Sequence, residues 1–300
     1  MKTCLVLEGG AMRGMYTEGV VDTLLKNNII VDGIIGVSAG ALFGVNYCSK
    51  QIGRALRYNK KYINDKSVDY MSFKSLIKTG NLINKEFAFN EVPFKLDVFD
   101  EKEFQKSKTN FYATITNVKT GKAEYVKITN TEKQMEVFRA TGAMPFVSQM
   151  VEINNELYLD GALGDSIPID EAFNMGYDKI IVVLTRTLDY KKKKPLQILA
   201  KIKYKEYPNL IEAINTRYIK YNDTIEKIID LENKKEIIVI RPTKDLKIKR
   251  IERNVDKLQE MYDLGVSDCK KLLPKIKRFI SGEVEVYGKK GLQKSTQKRK

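Results

Sequence analysis

Apolar runs and amphipathic segments alternate at the start of the chain. Thr3–Leu7 is almost wholly apolar and predicts a buried strand, and residues 16–26 carry apolar side chains at helical spacing. The pattern then repeats, because Gly33–Val37 predicts a second buried strand and residues 39–48 predict a buried helix. Two successive strand–turn–helix units indicate parallel strands covered by helices.

The pattern is less regular further along the chain. Residues 54–104 are charged, aromatic and irregularly helical. We expect them to lie outside the sheet and to cover one edge of the functional site. Two hairpins follow, with Gly121 in the first turn and Asn154-Asn155 in the second. The elements predicted after residue 110 are strands over residues 111–117, 123–128, 151–153, 157–159, 179–185 and 236–241, and helices over residues 132–139, 169–174, 196–231 and 254–280.

These elements predict an α/β fold with a mostly parallel central sheet covered by helices on both faces. With 300 residues, of which 43% are hydrophobic, the chain can bury one sizeable core and carry an appended lobe. We expect a core over residues 1–185 and a basic extension of helices and a strand over residues 186–288, packed on that core. Residues 289–300 are expected to form a disordered basic tail.

The net charge of +15 is concentrated in the C-terminal part of the chain. Residues 1–185 hold 22 Lys and Arg against 22 Asp and Glu, whereas residues 186–300 hold 31 against 16. Such an asymmetry suits contact with a polyanion, either a phospholipid surface or a nucleic acid. Helices whose lysines simply face water are the alternative interpretation.

The chain shows no sign of membrane insertion or export. No stretch reaches the roughly 18 uninterrupted apolar residues that a transmembrane helix needs, and the apolar run before Glu8 is too short for a signal peptide. Cys4, Cys48 and Cys269 are odd in number and far apart, which fits neither a disulfide framework nor a metal site. We therefore expect a soluble cytoplasmic protein with reduced thiols, of which Cys4 and Cys48 are buried.

The sequence GVSAG places Ser38 directly after a predicted strand and before a predicted helix. A serine nucleophile at such a turn needs small neighbours two residues away on either side, because the backbone there is crowded. Gly36 and Gly40 meet that need. The pattern indicates a nucleophile elbow, and a glycine-flanked turn with an incidental serine is the alternative.

The chain contains no histidine, so a Ser-His-Asp triad is excluded and the remaining bases are Asp, Glu, Lys, Tyr or the terminal amine. A carboxylate has a pKa of about 4 in water, but burial raises it toward neutrality, which makes a Ser-Asp dyad reasonable. Asp160 is the preferred base, because the small residues Gly161 and Ala162 follow it. Asp165 and Asp32 are weaker rivals, and an ordinary turn aspartate is the alternative role for Asp160.

A third motif, EGGAMRG, stands between the first predicted strand and the first predicted helix. Backbone N–H groups of a glycine-rich turn can stabilise negative charge on a carbonyl oxygen by about 2.7 to 4 kcal/mol each. Gly9, Gly10 and Gly14 permit such a turn, and Arg13 is available to fix the loop or an anionic group. Nucleotide or phosphate binding is the competing interpretation, although Ala11 breaks the G-x-G-x-x-G pattern and no G-K-[ST] follows.

In this order, EGGAMRG, GVSAG and DGA resemble the motifs of the patatin-like phospholipase family, and RATGAMPF and IIVVLTR are similar to its bacterial members. The resemblance covers residues 3–185 and implies a patatin-like catalytic core, with Ser38 as nucleophile and Asp160 as its sole base. It also implies that the glycine-rich loop forms an oxyanion hole. The site residues assigned to that hole are Gly9, Gly10, Ala11, Met12, Arg13, Gly14 and Ala39, and the residues that support the elbow and the third motif are Gly36, Gly40, Gly161 and Ala162.

Ala11 departs from the family pattern, in which a third glycine often stands at this position of the loop. Alanine retains the N–H donor. Its side chain is expected to restrict the turn or to narrow the oxyanion hole.

The expected activity is that of a serine esterase or lipid acyl hydrolase, of phospholipase A or lysophospholipase type, which works through an acyl-enzyme and needs no metal or cofactor. A basic nucleotide- or nucleic-acid-binding protein and a catalytically inactive patatin-like protein are the alternatives. The expected partner is a lipid ester or phospholipid, and no specific nucleic acid is expected because interleaved aromatic residues and a binding framework are missing. Head group, acyl position, chain length and oligomeric state are left open.

Peripheral contact with an anionic membrane, at its cytoplasmic face, is a further expectation. If strand 179–185 is parallel to the strands that carry the motifs, Arg186 and the lysines of residues 191–194 lie on the rim beside Ser38. The aromatic residues expected to accompany this cationic rim are Tyr190, Tyr204 and Tyr207. A solvated loop unrelated to lipid is the alternative.

Overall fold

The structure is a computed structural model, and it describes residues 1–282. Its centre is one eight-stranded sheet with the strand order β5-β6-β3-β2-β1-β7-β8, in which β4 pairs with β3 outside this path. The strands are β1 (Thr3–Leu7), β2 (Gly33–Val37), β3 (Asn110–Asn117), β4 (Ala123–Ile128), β5 (Val151–Ile153), β6 (Glu156–Asp160), β7 (Lys179–Val183) and β8 (Ile237–Ile240).

The middle of the sheet is parallel. β1 pairs in parallel with β2 and β7, β2 with β3, and β7 with β8, whereas β4, β5 and β6 form the antiparallel edge. The five parallel strands therefore end at one rim of the sheet, where ligands of open α/β folds bind. This arrangement confirms the predicted mostly parallel central sheet.

Helices cover both faces of the sheet, as predicted. Alternate residues of each central strand point to opposite faces, so Leu5 and Leu7 belong to one buried cluster and Cys4 and Val6 to the other. The helices are α1 (Met15–Lys26), α2 (Ala39–Gly44), α3 (Arg54–Tyr62), α4 (Phe73–Thr79), α5 (Glu101–Lys106), α6 (Met135–Thr141), α7 (Ile169–Asn174), α8 (Gln197–Lys203), α9 (Pro208–Asn233) and α10 (Val255–Ser281). Within residues 1–282, none of these helices combines the length and apolarity needed to cross a bilayer.

Two predicted helices have different bounds in the structure. The helix predicted over residues 39–48 ends as α2 at Gly44 and continues as a 3₁₀ turn over Val45–Tyr47. The helical segments predicted over residues 196–231 are α8 and α9, and α9 begins at Pro208 because proline cannot continue a helix but is suited to its first turn. The cover over residues 54–104 contains α3, α4 and α5 together with a π-helical segment, Phe87–Leu96.

The C-terminal part of the described chain adds to the same sheet. β8 pairs with β7 through a parallel register in which Ile237 lies opposite Ile180, and α10 packs against α1. The division of the chain near residue 185 stays a prediction. The predicted basic tail, residues 289–300, lies outside the described residues.

The three cysteines are free and buried in separate parts of the fold. Cys4 lies in β1 with no exposed surface, and Cys48 follows the 3₁₀ turn after α2 with 1% of its surface exposed. Their burial confirms the prediction that they pack as small apolar side chains.

Candidate active site

Ser38 occupies a strained turn between β2 and α2. Its backbone dihedrals, φ 53° and ψ −125°, are unfavourable for a residue with a side chain, and such strain persists only where neighbours hold it. The Ser38 N–H donates to the Thr141 hydroxyl at 2.9 Å, and that hydroxyl donates to the Thr114 carbonyl at 2.6 Å. Thr141 therefore joins the elbow to β3; it lies in the RATGAMPF motif, but the sequence analysis assigned it no role.

The two glycines of the elbow allow a close backbone approach. A side chain at Gly40 would collide with the Leu7 carbonyl oxygen of β1, and one at Gly36 would lie 2.6 Å from the Cα of Ala41 in α2. The helix can therefore begin directly against the strand ends. Small residues on both sides of Ser38 leave room for this close approach.

Asp160 stands at the end of β6, on the other side of β3. The β3 register places Thr114 opposite Val37 and Ile115 opposite Asp160, so Ser38 and Asp160 meet above neighbouring positions of one strand. The Ser38 hydroxyl donates to Asp160 Oδ2 at 2.7 Å. The structure thus brings the predicted nucleophile and base into direct contact.

Small residues after Asp160 complete this arrangement. Asp160 Oδ1 accepts the Ala162 N–H at 2.9 Å, and a side chain at Gly161 would collide with the Thr114 carbonyl. The rival carboxylates lie elsewhere: Asp165 accepts the Tyr125 hydroxyl at 2.7 Å, and Asp32 accepts the Thr3 N–H at 2.7 Å. Neither rival contacts Ser38.

Burial raises the pKa of Asp160 above its usual value. The positive charges of Arg217 and Arg250, the Ala162 N–H and the Ser38 hydroxyl oppose this shift by favouring the carboxylate. Asp160 is 5% exposed and Ser38 is 8% exposed, so bulk water is largely excluded from the pair. A carboxylate in this environment is a stronger proton acceptor than one in water.

The glycine-rich loop runs past Ser38 and presents free backbone donors. Ala11 adopts φ 49°, the left-handed conformation that a glycine would adopt without strain. The Met12 N–H donates to the Arg250 carbonyl at 3.4 Å, and the Arg13 N–H donates to the Gly10 carbonyl at 3.1 Å. Within residues 1–282, the N–H groups of Gly10, Ala11 and Ala39 have no protein acceptor.

The remaining residues of the predicted oxyanion hole have structural positions. A side chain at Gly9 would lie 2.8 Å from the Cβ of Ser38, so the loop can pass directly beside the nucleophile only with glycine at that position. Gly14 lies against Ala39 and Phe43 of α2. The Nε of the Arg13 side chain is buried and has no hydrogen-bond partner within the described part of the chain.

Glu8 is a buried carboxylate beside the loop, and the sequence analysis assigned no role to it. It accepts the Thr185 N–H at 2.6 Å, the Thr185 hydroxyl at 3.1 Å and the Tyr221 hydroxyl at 2.9 Å. Thr185 follows β7 and Tyr221 lies in α9, so Glu8 ties the end of β1 to both elements. The sequence signal for this role was an acidic residue at the end of a wholly apolar strand.

A cavity extends from Ser38, and its volume is about 1100 Å³ when the solvent-filled space at its opening is included. Most of its walls are aliphatic and aromatic side chains of the cover and of α6. Examples are Tyr58, Phe89, Val92, Phe99, Met135 and Phe138. The cover over residues 54–104, in which the sequence contains no recognisable catalytic motif, therefore supplies apolar walls for the cavity next to Ser38.

The predicted cationic rim is only partly formed. Lys191 lies 3.9 Å from Glu226, and the Lys192 Nζ turns inward to 4.3 Å from the centre of the Tyr221 ring. Lys193 and Lys194 are exposed. Tyr204 does not face solvent, because it is 3% exposed and its hydroxyl accepts the Phe146 N–H at 2.8 Å.

Side chains that bind metal ions do not cluster in the described part of the chain. No group of three or more His, Cys, Asp or Glu side chains stands close enough together to hold an ion in residues 1–282.

The fold and this geometry define an α/β protein with a serine–carboxylate pair at the rim where the parallel strands of its sheet end. The sequence profile of the patatin-like phospholipase family matches residues 5–173, and the chain belongs to that family. The resemblance of the three motifs is thereby confirmed. A second profile, Domain of unknown function (DUF6363), matches residues 207–281, which contain α9, β8 and α10.

Three relatives illustrate the range of the family. The Uncharacterized protein YjjU of Escherichia coli is 26% identical over 275 residues, covering 88% of this chain and 75% of that protein. The Probable lipid hydrolase 463L of Invertebrate iridescent virus 6 is 23% identical over 277 residues, covering 87% of this chain and 85% of that protein. The Lysophospholipase nte1 of Aspergillus niger is 26% identical over 190 residues, covering 62% of this chain but 12% of that protein.

Proposed function

We propose that this protein is a lipid acyl hydrolase of phospholipase A or lysophospholipase type, which uses Ser38 and Asp160 as a catalytic dyad. The observation that carries the proposal is the 2.7 Å hydrogen bond from the Ser38 hydroxyl to Asp160 in a chain without histidine. A serine needs a base to become nucleophilic, and Asp160 is the carboxylate in contact with it.

In the first half of the reaction, Ser38 Oγ attacks the ester carbonyl while its proton moves to Asp160 Oδ2. The carbonyl oxygen becomes negative, and the free N–H groups of Gly10, Ala11 and Ala39 are the donors that would stabilise it. Collapse of the tetrahedral intermediate breaks the ester bond. The departing alcohol takes the proton from Asp160, which leaves an acyl group on Ser38 and a carboxylate again.

In the second half, Asp160 accepts a proton from a water molecule that attacks the acyl-enzyme. The second tetrahedral intermediate collapses, Ser38 Oγ regains a proton from Asp160, and the fatty acid leaves. The raised pKa of Asp160 supports both transfers, because the same group must accept a proton and then release it near neutral pH.

The cavity supports a substrate with a hydrocarbon chain. Its walls beside Ser38 are mainly apolar, so an acyl chain placed there would leave water. The names of the viral relative, a probable lipid hydrolase, and of the fungal relative, a lysophospholipase, agree with this class of substrate.

Peripheral contact with an anionic lipid surface belongs to the same proposal. α8 exposes Ile198, Leu199 and Ile202, which are 65%, 51% and 70% exposed, and its last turn carries Lys201 and Lys203. Apolar side chains beside lysines suit the interface of an anionic bilayer. Replacing Ile198 and Ile202 together by Asp should weaken sedimentation with phosphatidylglycerol vesicles, and unchanged sedimentation would contradict this contact.

The activity is tested by incubating the purified full chain with lysophosphatidylcholine and phosphatidylcholine and measuring released fatty acid by mass spectrometry. We expect release by the wild-type protein and none above background by Ser38→Ala. A wild-type protein that is folded but releases no fatty acid from either lipid, or from a short-chain nitrophenyl ester, would indicate an inactive member of the family. Equal release by Ser38→Ala would reject Ser38 as nucleophile.

A further inference from the structure

Five cationic side chains lie near the glycine-rich loop, and one of them, Arg250, also lines the apolar cavity. They are Arg13, Arg186, Lys192, Arg217 and Arg250, and their charges act on one another and on two carboxylates, Glu8 and Asp160. None of the five forms an ion pair with a carboxylate anywhere in residues 1–282. The four arginines outnumber the two carboxylates, so this region carries an excess of positive charge.

Arg250 and Arg13 connect this region to the nucleophile. Arg250 lines the mouth of the cavity that also contains Ser38, and its carbonyl accepts the Met12 N–H of the loop. Arg13 belongs to the loop itself, and its buried Nε has no hydrogen-bond partner in the described chain. A buried guanidinium N–H without an acceptor is costly, and a ligand oxygen would satisfy it.

Lys192 is fixed in an inward orientation by its backbone. Its N–H donates to Asn222 Oδ1 at 2.9 Å, and the Asn222 amide donates back to the Lys192 carbonyl at 3.1 Å. Its Nζ lies over the ring of Tyr221, whose hydroxyl donates to Glu8. Burial, together with the positive charges of Arg217, Arg250 and Arg13, lowers the pKa of Lys192 to about 7.

Arg217 lies one helical turn before Tyr221 on α9 and therefore on the same face of that helix. Its Nε donates to the Ser166 hydroxyl at 3.1 Å, which leaves the other guanidinium donors available. Burial lowers the pKa of Arg217, and the nearby Asp160 carboxylate partly restores it. Arg217 is thus held beside the proposed base without forming an ion pair with it.

The two carboxylates in this region form no ion pair with the cations. Glu8 is occupied by Thr185 and Tyr221, and Asp160 is occupied by Ser38 and Ala162. Like charges that are brought together and partly buried raise the free energy of the folded protein unless an anion joins them. Arginine and lysine donors that converge in this way suit a phosphate group, which accepts several charge-assisted hydrogen bonds.

We propose that Arg13, Lys192, Arg217 and Arg250 form a subsite for the phosphate group of the lipid substrate, next to Ser38. The inference rests on the proposed function, because it names the second half of the same substrate. Arg217 and Arg250 lie in the segment matched by the domain of unknown function, so the proposal gives that segment a role in substrate selection.

A different role for these cations is to favour the Asp160 carboxylate and nothing more. Loss of an arginine would then impair hydrolysis of every ester to the same extent, because the base is common to all of them. Loss of a phosphate-binding arginine would instead impair phosphate-bearing substrates more than neutral ones. The ratio of the two rates separates these roles and cancels any common effect on Asp160.

The test compares oleoyl lysophosphatidic acid with monooleoylglycerol, which has the same acyl chain but no phosphate. The variants are Arg217→Gln and Arg250→Gln, and their matched controls are the exposed neighbours Lys220→Gln and Lys249→Gln. Relative to wild type, we expect each arginine variant to lower the kcat/KM ratio of phosphate-bearing to neutral substrate by about tenfold or more, as the loss of a charged hydrogen bond implies. Equal losses on both substrates, or ratios no different from the lysine controls, would overturn the proposal.

A binding experiment separates this proposal from the proposed activity. Ser38→Ala protein is titrated calorimetrically with glycerol 3-phosphate and with inorganic phosphate, and the same titration is repeated with Ser38→Ala/Arg217→Gln. We expect binding by the first protein and at least about tenfold weaker binding by the second, with glycerol 3-phosphate preferred if the subsite serves a lipid head group. Phosphate binding by a protein that hydrolyses no ester would retain the subsite and reject the activity, whereas active hydrolysis without phosphate binding would reject the subsite.

Discussion

The two sides of Ser38 differ in chemistry and in origin. On one side is an apolar cavity built mainly from the cover over residues 54–104 and from α6. The other side is formed by cations without carboxylate partners. Two of them, Arg217 and Arg250, come from the C-terminal part of the described chain, and Arg250 also lines the cavity. A site with one apolar and one cationic side suits an amphipathic substrate, whose ester lies between a hydrocarbon chain and a charged group.

The difference also separates two kinds of selectivity. An acyl chain in the cavity gains about 0.8 kcal/mol for each buried CH₂ group, so chain length should act through the apolar side. Charge interactions on the cationic side are weakened by salt, so head-group selectivity should fall as ionic strength rises. Ser38 and Asp160 lie between the two sides and should affect every substrate equally.

The largest effect is expected at the junction of the two sides. Asp160→Asn should lower ester hydrolysis by roughly a thousandfold or more, because asparagine keeps the shape but cannot accept the Ser38 proton. Hydrolysis of long-chain, short-chain, neutral and phosphate-bearing esters should fall alike. Asp165→Asn is the matched control, since Asp165 is a half-buried carboxylate that accepts a hydrogen bond from Tyr125. Substantial activity in folded Asp160→Asn would reject the dyad.

The apolar side alone is changed by filling the cavity. Ala88→Trp adds bulk within the cavity wall, so we expect the kcat/KM ratio of a palmitoyl to a butyryl nitrophenyl ester to fall by about tenfold. Asn90→Trp places the same side chain at an exposed position of the same segment and should leave the ratio near that of wild type. A parallel loss on both esters would show that the cavity does not hold the acyl chain.

The two sides are linked through the pKa of Asp160. Burial raises the pKa of Asp160 above its usual value of about 4. The carboxylate, which is the active form, is present above this raised pKa. We therefore expect kcat/KM to fall as the pH decreases through the raised pKa. Arg217 opposes the shift, so Arg217→Gln should move this acid limb to higher pH. The profile is measured with monooleoylglycerol, and Lys220→Gln serves as the control. An acid limb that stays in place in Arg217→Gln would show that Arg217 does not act on Asp160.

The smallest expected effect concerns the strain at the elbow. Ser38→Gly should be more stable than Ser38→Ala by about 1 kcal/mol, because glycine adopts φ 53° without steric cost. Urea unfolding of the two inactive variants measures the difference. Equal stabilities would mean that the turn stores no strain at this residue.

The two residues of the proposed dyad could be predicted because each lies in a short local pattern. Ser38 stands between glycines after a wholly apolar strand, and Asp160 stands before Gly161 and Ala162. Parallel strands end at a common rim, which explains why residues 122 positions apart in the chain meet there. The sheet could be predicted for the same reason, since its central strands are continuous apolar runs.

The surroundings of the dyad could not be predicted from local patterns. Lys192 stands in a run of four lysines, and only the path of the chain around Asn222 shows that this one turns inward. The cavity walls come from an irregular segment in which no helical or strand period marks the lining side chains. The break between α8 and α9 is different, because a proline such as Pro208 indicates where a helix can begin but cannot continue.

The most direct test of the account is labelling by a serine-reactive fluorophosphonate. The reagent should bind covalently to one residue of the wild-type protein, and peptide mass spectrometry should locate the adduct on Ser38. Ser38→Ala should remain unlabelled, and labelling of Asp160→Asn should be slowed by roughly the same factor as its ester hydrolysis. A wild-type protein that is folded yet unlabelled, or an adduct on another serine, would contradict Ser38 as the nucleophile between the two sides of the site.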